Sequence, residues 1–234
     1  LSYRQGGWRR LSFTSLGIAA GTILSAAPVL PRAGINVLDF LRFHAERGIQ
    51  IESSWSTLAL ALNALGVAEA KPLHDYGAFH VVGPAATWFV RLSIPGLLLL
   101  ALLPQLLSLR GRLGRAGDEH GSYGVCAATC GVLGFMIGGK VLSPQYMLWL
   151  APFLPLLAAQ GRGAVQRAAL GAMALVACGL TSLIYPYWSP ALEMQEPGHG
   201  AAVLALGARN LLLVALYAYA AYRAGQRPEA ATRA

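Results

Sequence analysis

The sequence predicts an all-α, polytopic membrane protein, with about six transmembrane helices plus one re-entrant or interfacial helix on the outer face. Three observations predict it. Only 12% of the residues are charged and 56% are hydrophobic, whereas an ordinary soluble domain carries about 25% charged residues. Several windows of roughly 18–22 residues are apolar enough to span a bilayer. The net charge of +8 comes mostly from arginines that fall between those windows. In a soluble protein such a charge would suggest nucleic acid. Here it reads as a topology signal, so membrane lipids are the expected surroundings and no nucleic acid is expected.

The elements follow in order. The chain starts at Leu1 without a signal-peptide pattern, and "LSYRQGGWRRLS" reads as an internal loop. The expectation is a single transmembrane domain over 1–234, the C-terminal half of a longer, here truncated, protein. Apolar runs occupy 12–30, 51–67, 85–108, 122–139, 145–159, 168–187 and 201–221. Arg4, Arg9 and Arg10, then Arg110, Arg112 and Arg115, then Arg162 and Arg167, then Arg223, Arg227 and Arg233 lie between or beyond them. By the positive-inside rule these four groups face the cytoplasm. An even number of crossings must then separate Arg10 from Arg110, yet three apolar runs lie between. The run at 51–67 is the weakest, interrupted by Glu52, Ser53, Ser54, Ser56, Thr57 and Asn63, and is expected not to cross. Six spans result, in the plasma membrane, with both ends cytoplasmic. The polar clusters all fall on the outer side.

Those clusters carry the candidate chemistry. "DFLRFHAERGIQIESSW", from Asp39 to Trp55, places Arg42, His44, Glu46, Arg47, Gln50 and Glu52 among Phe40, Phe43 and Ile49. Asp39 to Glu46 suits a short amphipathic interfacial helix, closed by Gly48. One reading is a solvated helix greeting lipid phosphates. The other is a site for a phosphate-bearing lipid, since arginine clamps phosphate bidentately and His44 can donate to it or move a proton. Glu52 opens an apolar run, where a carboxylate is costly unless paired or functional.

"EAKPLHDYGAFHVVGP", from Glu69 to Pro84, reads as an irregular loop or a short hairpin. His74, Asp75 and His80 are candidates to line a pocket. A metal site is disfavoured because no second ligand cluster accompanies them. Cys126, Cys130 and Cys178 sit inside apolar stretches and read as small buried residues.

"GGKVLSPQYMLWL", from Gly138 to Leu150, is the third cluster. Ser143 is the expected N-cap and Pro144 the first-turn residue of a helix over 145–159. That leaves Lys140, Gln145 and Tyr146 unexplained. Lys140 either snorkels from its helix end or binds an anion. Tyr146 and Trp149 are either belt aromatics or part of a site.

"FHAERGIQIES" and "KVLSPQYMLWLAPFLPLL" together resemble the actinobacterial polyprenol-phosphate-mannose-dependent α-mannosyltransferases (glycosyltransferase family 87, GT-C superfamily). The pattern KV-x-SPQY-x-LWL is the more specific part, and the resemblance covers approximately 10–220. It implies a GT-C-like fold in the cell envelope, with an extracytoplasmic active site. There a hexose, usually mannose, passes from a polyprenyl-phosphate-linked donor to a glycolipid or glycan acceptor. The catalytic base it implies is an aspartate in a loop preceding Leu1, with Glu52 a weaker candidate. It implies no cofactor and does not clearly require a metal, although other GT-C branches use one. On this expectation Lys140, Arg47, Arg42 and His44 bind the donor phosphate, because cations stabilise a departing phosphate. Gln50, Glu52, Trp55, Gln145, Tyr146 and Asp75 contact sugar or lipid. The alternative is a non-enzymatic transporter or flippase-like protein, or a remnant that folds without catalysing. Transporters bury ionisable groups mid-bilayer. Arg91 and Arg209 are the basic residues within the apolar runs, and both are expected near span ends.

Overall fold

A computed structural model describes residues 12–13, 16–25, 27–28, 30–34, 36, 39–113 and 121–225. Arg4, Arg9, Arg10, Arg115, Arg227 and Arg233, used above for topology, lie outside them. The chain divides into two compact units, Leu1–Arg47 and Gly48–Ala234, each described by itself.

The first unit holds an apolar helix α1 (Leu16–Ser25), a single helical turn at Leu30–Ala33 and helix α2 (Asp39–Glu46). In α1 the hydroxyls of Thr22 and Ser25 donate back to the carbonyls of Ile18 and Gly21, at 2.9 and 2.8 Å. This four-back bonding hides a polar group from an apolar surrounding. The α2 helix has the predicted bounds. Asp39 favours its first turn and His44 its last, as the helix dipole prefers.

The second unit is mostly helical. Its helices are α3 (Ser54–Ala64), α4 (Pro84–Leu113), α5 (Gly121–Gly138), α6 (Phe153–Ala159), α7 (Ala164–Ser182), α8 (Ser189–Glu193) and α9 (His199–Gly225). Among the described residues, three stretches are long and apolar enough to cross a membrane: Pro84–Leu106, Ala164–Glu193 and His199–Gly225. Leu16–Ser25 and Gly124–Gly138 are apolar but shorter. With 11 residues, α3 rises only about 16 Å, against a hydrocarbon core of about 30 Å. Residues 51–67 therefore hold no spanning helix.

Two expectations need correction. The fold is not purely α. A three-stranded antiparallel sheet of order β1-β3-β2 joins β1 (Ile49–Gln50), β2 (Lys71–Asp75) and β3 (Ala78–Val82). Its hairpin turns at Tyr76-Gly77, where φ is +50° and +69°. Positive φ at both central residues is the turn that matches strand twist, and Gly77 adopts it without a steric penalty. The second correction concerns 145–159. In place of one helix there is a 3₁₀ turn at Pro144–Tyr146, a helical turn at Met147–Leu150 and then α6. Pro152 and Pro155 lack the N–H groups that would bond to the carbonyls of Leu148 and Ala151, so a continuous helix is interrupted twice within one turn.

Two apolar cores hold the unit together. One gathers Leu133, Leu150, Leu157, Leu170, Leu213 and Ala220 from α5 to α9. The other gathers Ile49, Ile51, Leu60, Val81, Ile184 and Leu206 around the sheet. The α4–α5 contact depends on small residues. A Cβ on Gly134 would lie 2.4 Å from the Leu100 carbonyl oxygen, and one on Gly138 would lie 2.6 Å from the Leu97 Cα. Gly134-x-x-x-Gly138 thus lets the two backbones touch.

Candidate functional site

The site is built on the seven residues from Gln50 to Ser56. Ser53, in extended conformation, caps α3 by accepting from the Ser56 N–H at 3.1 Å. The Ser56 hydroxyl donates to the Gln50 carbonyl at 2.6 Å, and the Ser53 N–H donates to the same carbonyl at 2.9 Å. A tight loop results, with its polar groups turned inward.

Three hydrogen bonds tie this loop to the segment about ninety positions later. The Gln50 N–H donates to the Lys140 carbonyl at 2.8 Å. The Leu142 N–H donates to the Gln50 side-chain carbonyl at 3.1 Å. The Trp55 indole donates to the Gly138 carbonyl at 2.8 Å. A fourth bond, from the Ile51 N–H to the Phe79 carbonyl at 3.0 Å, joins the loop to the sheet. Gln50, Trp55 and Lys140, predicted from separate stretches, therefore meet. All three are half-buried.

A second group joins the same loop to Arg209 and Asn210 of α9. Arg209 is fully buried, 0% exposed, and Glu52 is 7% exposed. Arg209 Nη2 donates to the Glu52 backbone carbonyl at 2.8 Å and lies 3.5 Å from its Oε2. Asn210 Nδ2 donates to the Thr57 hydroxyl at 2.7 Å and reaches the Glu52 carbonyl at 3.4 Å. The pair is incompletely bonded: Glu52 Oε2, Arg209 Nε, Arg209 Nη1 and Asn210 Oδ1 have no hydrogen-bond partner. Burial pushes the Glu52 carboxyl up to about 7. Arg209 pulls it back down and Glu193 adds to the rise.

The other predicted residues have different surroundings. Arg42 and His44 are exposed on α2 of the first unit. Arg42 Nε donates to Glu46 Oε1 at 2.7 Å, one helical turn on, and His44 meets the Phe43 ring edge-on at 5.5 Å. Arg47, half-buried, follows α2 and its N–H donates to the Phe43 carbonyl. Asp75 is exposed at the hairpin tip, where its carboxylate accepts from the Tyr76 N–H at 2.8 Å. His74 packs on Phe79, and His80 Nε2 lies 2.9 Å from the Asp75 carbonyl. Among the described residues no three His, Cys, Asp or Glu side chains gather to hold a metal.

Ser143 corrects its predicted role. It stands before the 3₁₀ turn in extended conformation but makes no side-chain cap. Its hydroxyl donates to the Gln145 side-chain carbonyl instead. A three-residue turn has no developed dipole, so the expected helix N-terminus beside Lys140 is missing. Tyr146 stacks on Trp149 at 4.2 Å with 14° between planes, which fixes both rings.

Sequence reasoning missed Arg209 and Asn210 as a site. The signal was present: an Arg-Asn pair in the middle of an apolar run is costly enough to suggest function by itself. Their partner Glu52, 157 positions away from Arg209, was not legible as such. Comparison with family models, with curated proteins and with solved structures returned no match to this chain.

Proposed function

We propose that the chain belongs to a membrane glycosyltransferase of GT-C type with six crossings, the broken segment 144–159 counted as one of them. It transfers a hexose from a polyprenyl-phosphate donor to a lipid or glycan acceptor on the extracytoplasmic face. One observation carries the reading. The two stretches that resemble the mannosyltransferases are hydrogen-bonded to each other through Gln50, Lys140 and Leu142. They therefore share one backbone junction, and on this reading Lys140 supplies a cation beside it, with the Gln50 amide and the Trp55 indole at the junction itself. Such a set suits a phosphosugar. The leaving phosphate gains charge as the glycosidic bond breaks, and a preplaced cation stabilises that change more than it stabilises the intact donor.

A second reading, a transporter or flippase, is favoured by a different observation. Arg209 is buried inside a span-length helix with Glu52 as its partner, the arrangement expected of a substrate or ion pathway. One set of membranes from cells expressing the intact gene separates the two. Labelled mannose passing from a short-chain polyprenyl phosphomannose into a lipid or glycan product, above empty-vector membranes, supports the transferase. No transfer, together with translocation of the intact phosphosugar lipid across reconstituted vesicles, replaces it with the transporter.

A further inference from the structure

Glu52 and Arg209 form an ion pair that is deeply buried and poorly satisfied. Of the guanidinium's donors, Nη2 alone makes a hydrogen bond, to a backbone carbonyl. The carboxylate oxygen facing it stays at 3.5 Å, beyond a good hydrogen bond. A buried ion pair offsets its desolvation cost only when its geometry and remaining hydrogen bonds are good. This one lacks both, although Asn210, an amide able to complete it, sits next to it and spends its donors on Thr57 and the Glu52 carbonyl. A carboxylate so placed has an inexpensive second state, the neutral acid, whose O–H can donate. Glu52 keeps 7% exposure while Arg209 has none, so the carboxyl side is the less deeply buried side of the pair.

The charged and titratable groups around it are few. Arg209 comes from α9 and Glu193 from α8. Glu193 is in turn acted on by His74 of the hairpin. His80 on β3 is buried beside Gln50, its cross-strand neighbour, with Nε2 at the Asp75 carbonyl. Lys140 is joined to Gln50 through its backbone. Asn210 and Thr57 are neutral. Arg209 favours the carboxylate, whereas Glu193 and burial favour the acid, a balance that lets small changes decide the state.

We propose that Glu52, held by Arg209 and Asn210, is a proton-binding site inside the second unit, and that its occupancy sets how firmly α9 is tied to the Gln50–Ser56 loop. The step is simple: the carboxylate takes one proton from water, Glu52 becomes the neutral acid, and the pairing with Arg209 is lost while the bond from Nη2 to the Glu52 carbonyl is kept. The inference holds for either functional reading, because neither catalysis nor transport enters its test.

The experiment is infrared difference spectroscopy of the intact protein in lipid nanodiscs, titrated with buffer alone. A carboxylic-acid carbonyl band should grow as pH falls through about neutrality and be absent from Glu52→Gln. Arg209→Met should move its midpoint upward by about one pH unit or more, because the stabilising cation is gone. Glu193→Gln should move it slightly downward. If Glu52→Gln does not fold, the two midpoint shifts still identify the group. No titrating band between about pH 5.5 and 8.5, or a band that neither Arg209→Met nor Glu193→Gln moves, overturns the proposal.

Discussion

Helix α9 passes through two environments, and the contrast explains how this chain holds together. Its first half contributes Ala202, Ala205 and Leu206 to the core around the sheet. Arg209 and Asn210 follow and reach Glu52 and Thr57. Its second half contributes Leu213, Leu216, Ala220 and Ala224 to the core of α5, α6 and α7. In lipid, apolar side chains gain little by leaving one hydrocarbon for another, so helix association relies on close contact and on hydrogen bonds. The second half packs in the same core as α5, whose Gly134 and Gly138 touch the α4 backbone. It adds neutral polar ties: the Tyr217 hydroxyl donates to the Leu100 carbonyl at 2.8 Å and the Tyr219 hydroxyl to the Gln160 carbonyl at 2.9 Å. The first half uses a buried charged pair, Arg209 with Glu52. A core of the first kind tolerates volume-conserving exchange. A node of the second kind does not tolerate loss of one partner, because the other is left buried and charged.

The largest effect should therefore come from Arg209→Met. At pH 8 the variant leaves Glu52 buried without its cation, and the loss should be about 3–5 kcal/mol, as for breaking a buried pair from one side. At pH 6 the loss should be smaller, because Glu52 can take a proton. Thermal unfolding in detergent at the two pH values reads this. The double variant Glu52→Gln/Arg209→Met should recover part of the loss, since both charges are gone. If Arg209→Met unfolds with the wild-type midpoint at pH 8, the polar node contributes nothing and the two halves of α9 are alike.

Gly138→Val probes close backbone contact, at the α4–α5 pair that shares a core with the second half of α9. Its Cβ would meet the Leu97 Cα at 2.6 Å, a backbone atom that moves only with its helix. Overpacking of this kind should cost about 3 kcal/mol. It should be independent of pH, unlike the Arg209 variant. Gly179→Ala is the control, because nothing lies within 4 Å of a Cβ built there.

The pH dependence of the wild type follows from Glu52. Its carboxyl is raised from 4.5 to about 7 in the folded chain, so the folded state holds the proton more tightly than the unfolded one. The stability this group contributes is full below about pH 4.5, falls as pH rises, and is lost above about pH 7. The change should be on the order of 3 kcal/mol, seen as a falling Tm between pH 5 and 8 in wild type and a flatter one in Glu52→Gln.

Much of the local structure was legible in the sequence, and the reasons are physical. Asp39 to Glu46 carried both amphipathic spacing and charges suited to the dipole, and the helix has those bounds. Ser53 caps α3, a role not read from the sequence, where it stood only as one of several polar residues interrupting an apolar run. Asp75-Tyr76-Gly77 carried turn chemistry, and the chain turns there. The broken segment after Pro144 was also written in Pro152 and Pro155, but apolar periodicity outweighed them. What local pattern could not supply was pairing across distance. Glu52 was marked as costly, yet nothing nearby named Arg209. Likewise Gly134-x-x-x-Gly138 offers a contact face without saying that α4 fills it. The site was half legible: Gln50, Trp55 and Lys140 meet through backbone carbonyls at 138 and 140, which any sequence possesses and none advertises.

The smallest effect on the fold should come from Lys140→Met, and it bears most directly on function. The Gln50 N–H bonds to the Lys140 backbone carbonyl, so methionine leaves that bond in place. Residue 140 is half-buried and methionine retains most of the lysine stem's length, so the Tm should change little. If the ammonium stabilises the departing phosphate, turnover of polyprenyl phosphomannose should drop by about tenfold or more, which corresponds to about 1.4 kcal/mol in the barrier. The Michaelis constant should move less, because the interaction grows as charge develops. Gln50→Ala gives the opposite pattern. It removes the acceptor of the Leu142 N–H, so it should lower both Tm and turnover. Comparing the two at matched amounts of folded protein separates a cation that acts on substrate from a loop that only holds shape. Equal turnover in Lys140→Met and wild type would make Lys140 an interfacial anchor, and the polar junction a structural counterpart of the Arg209 node.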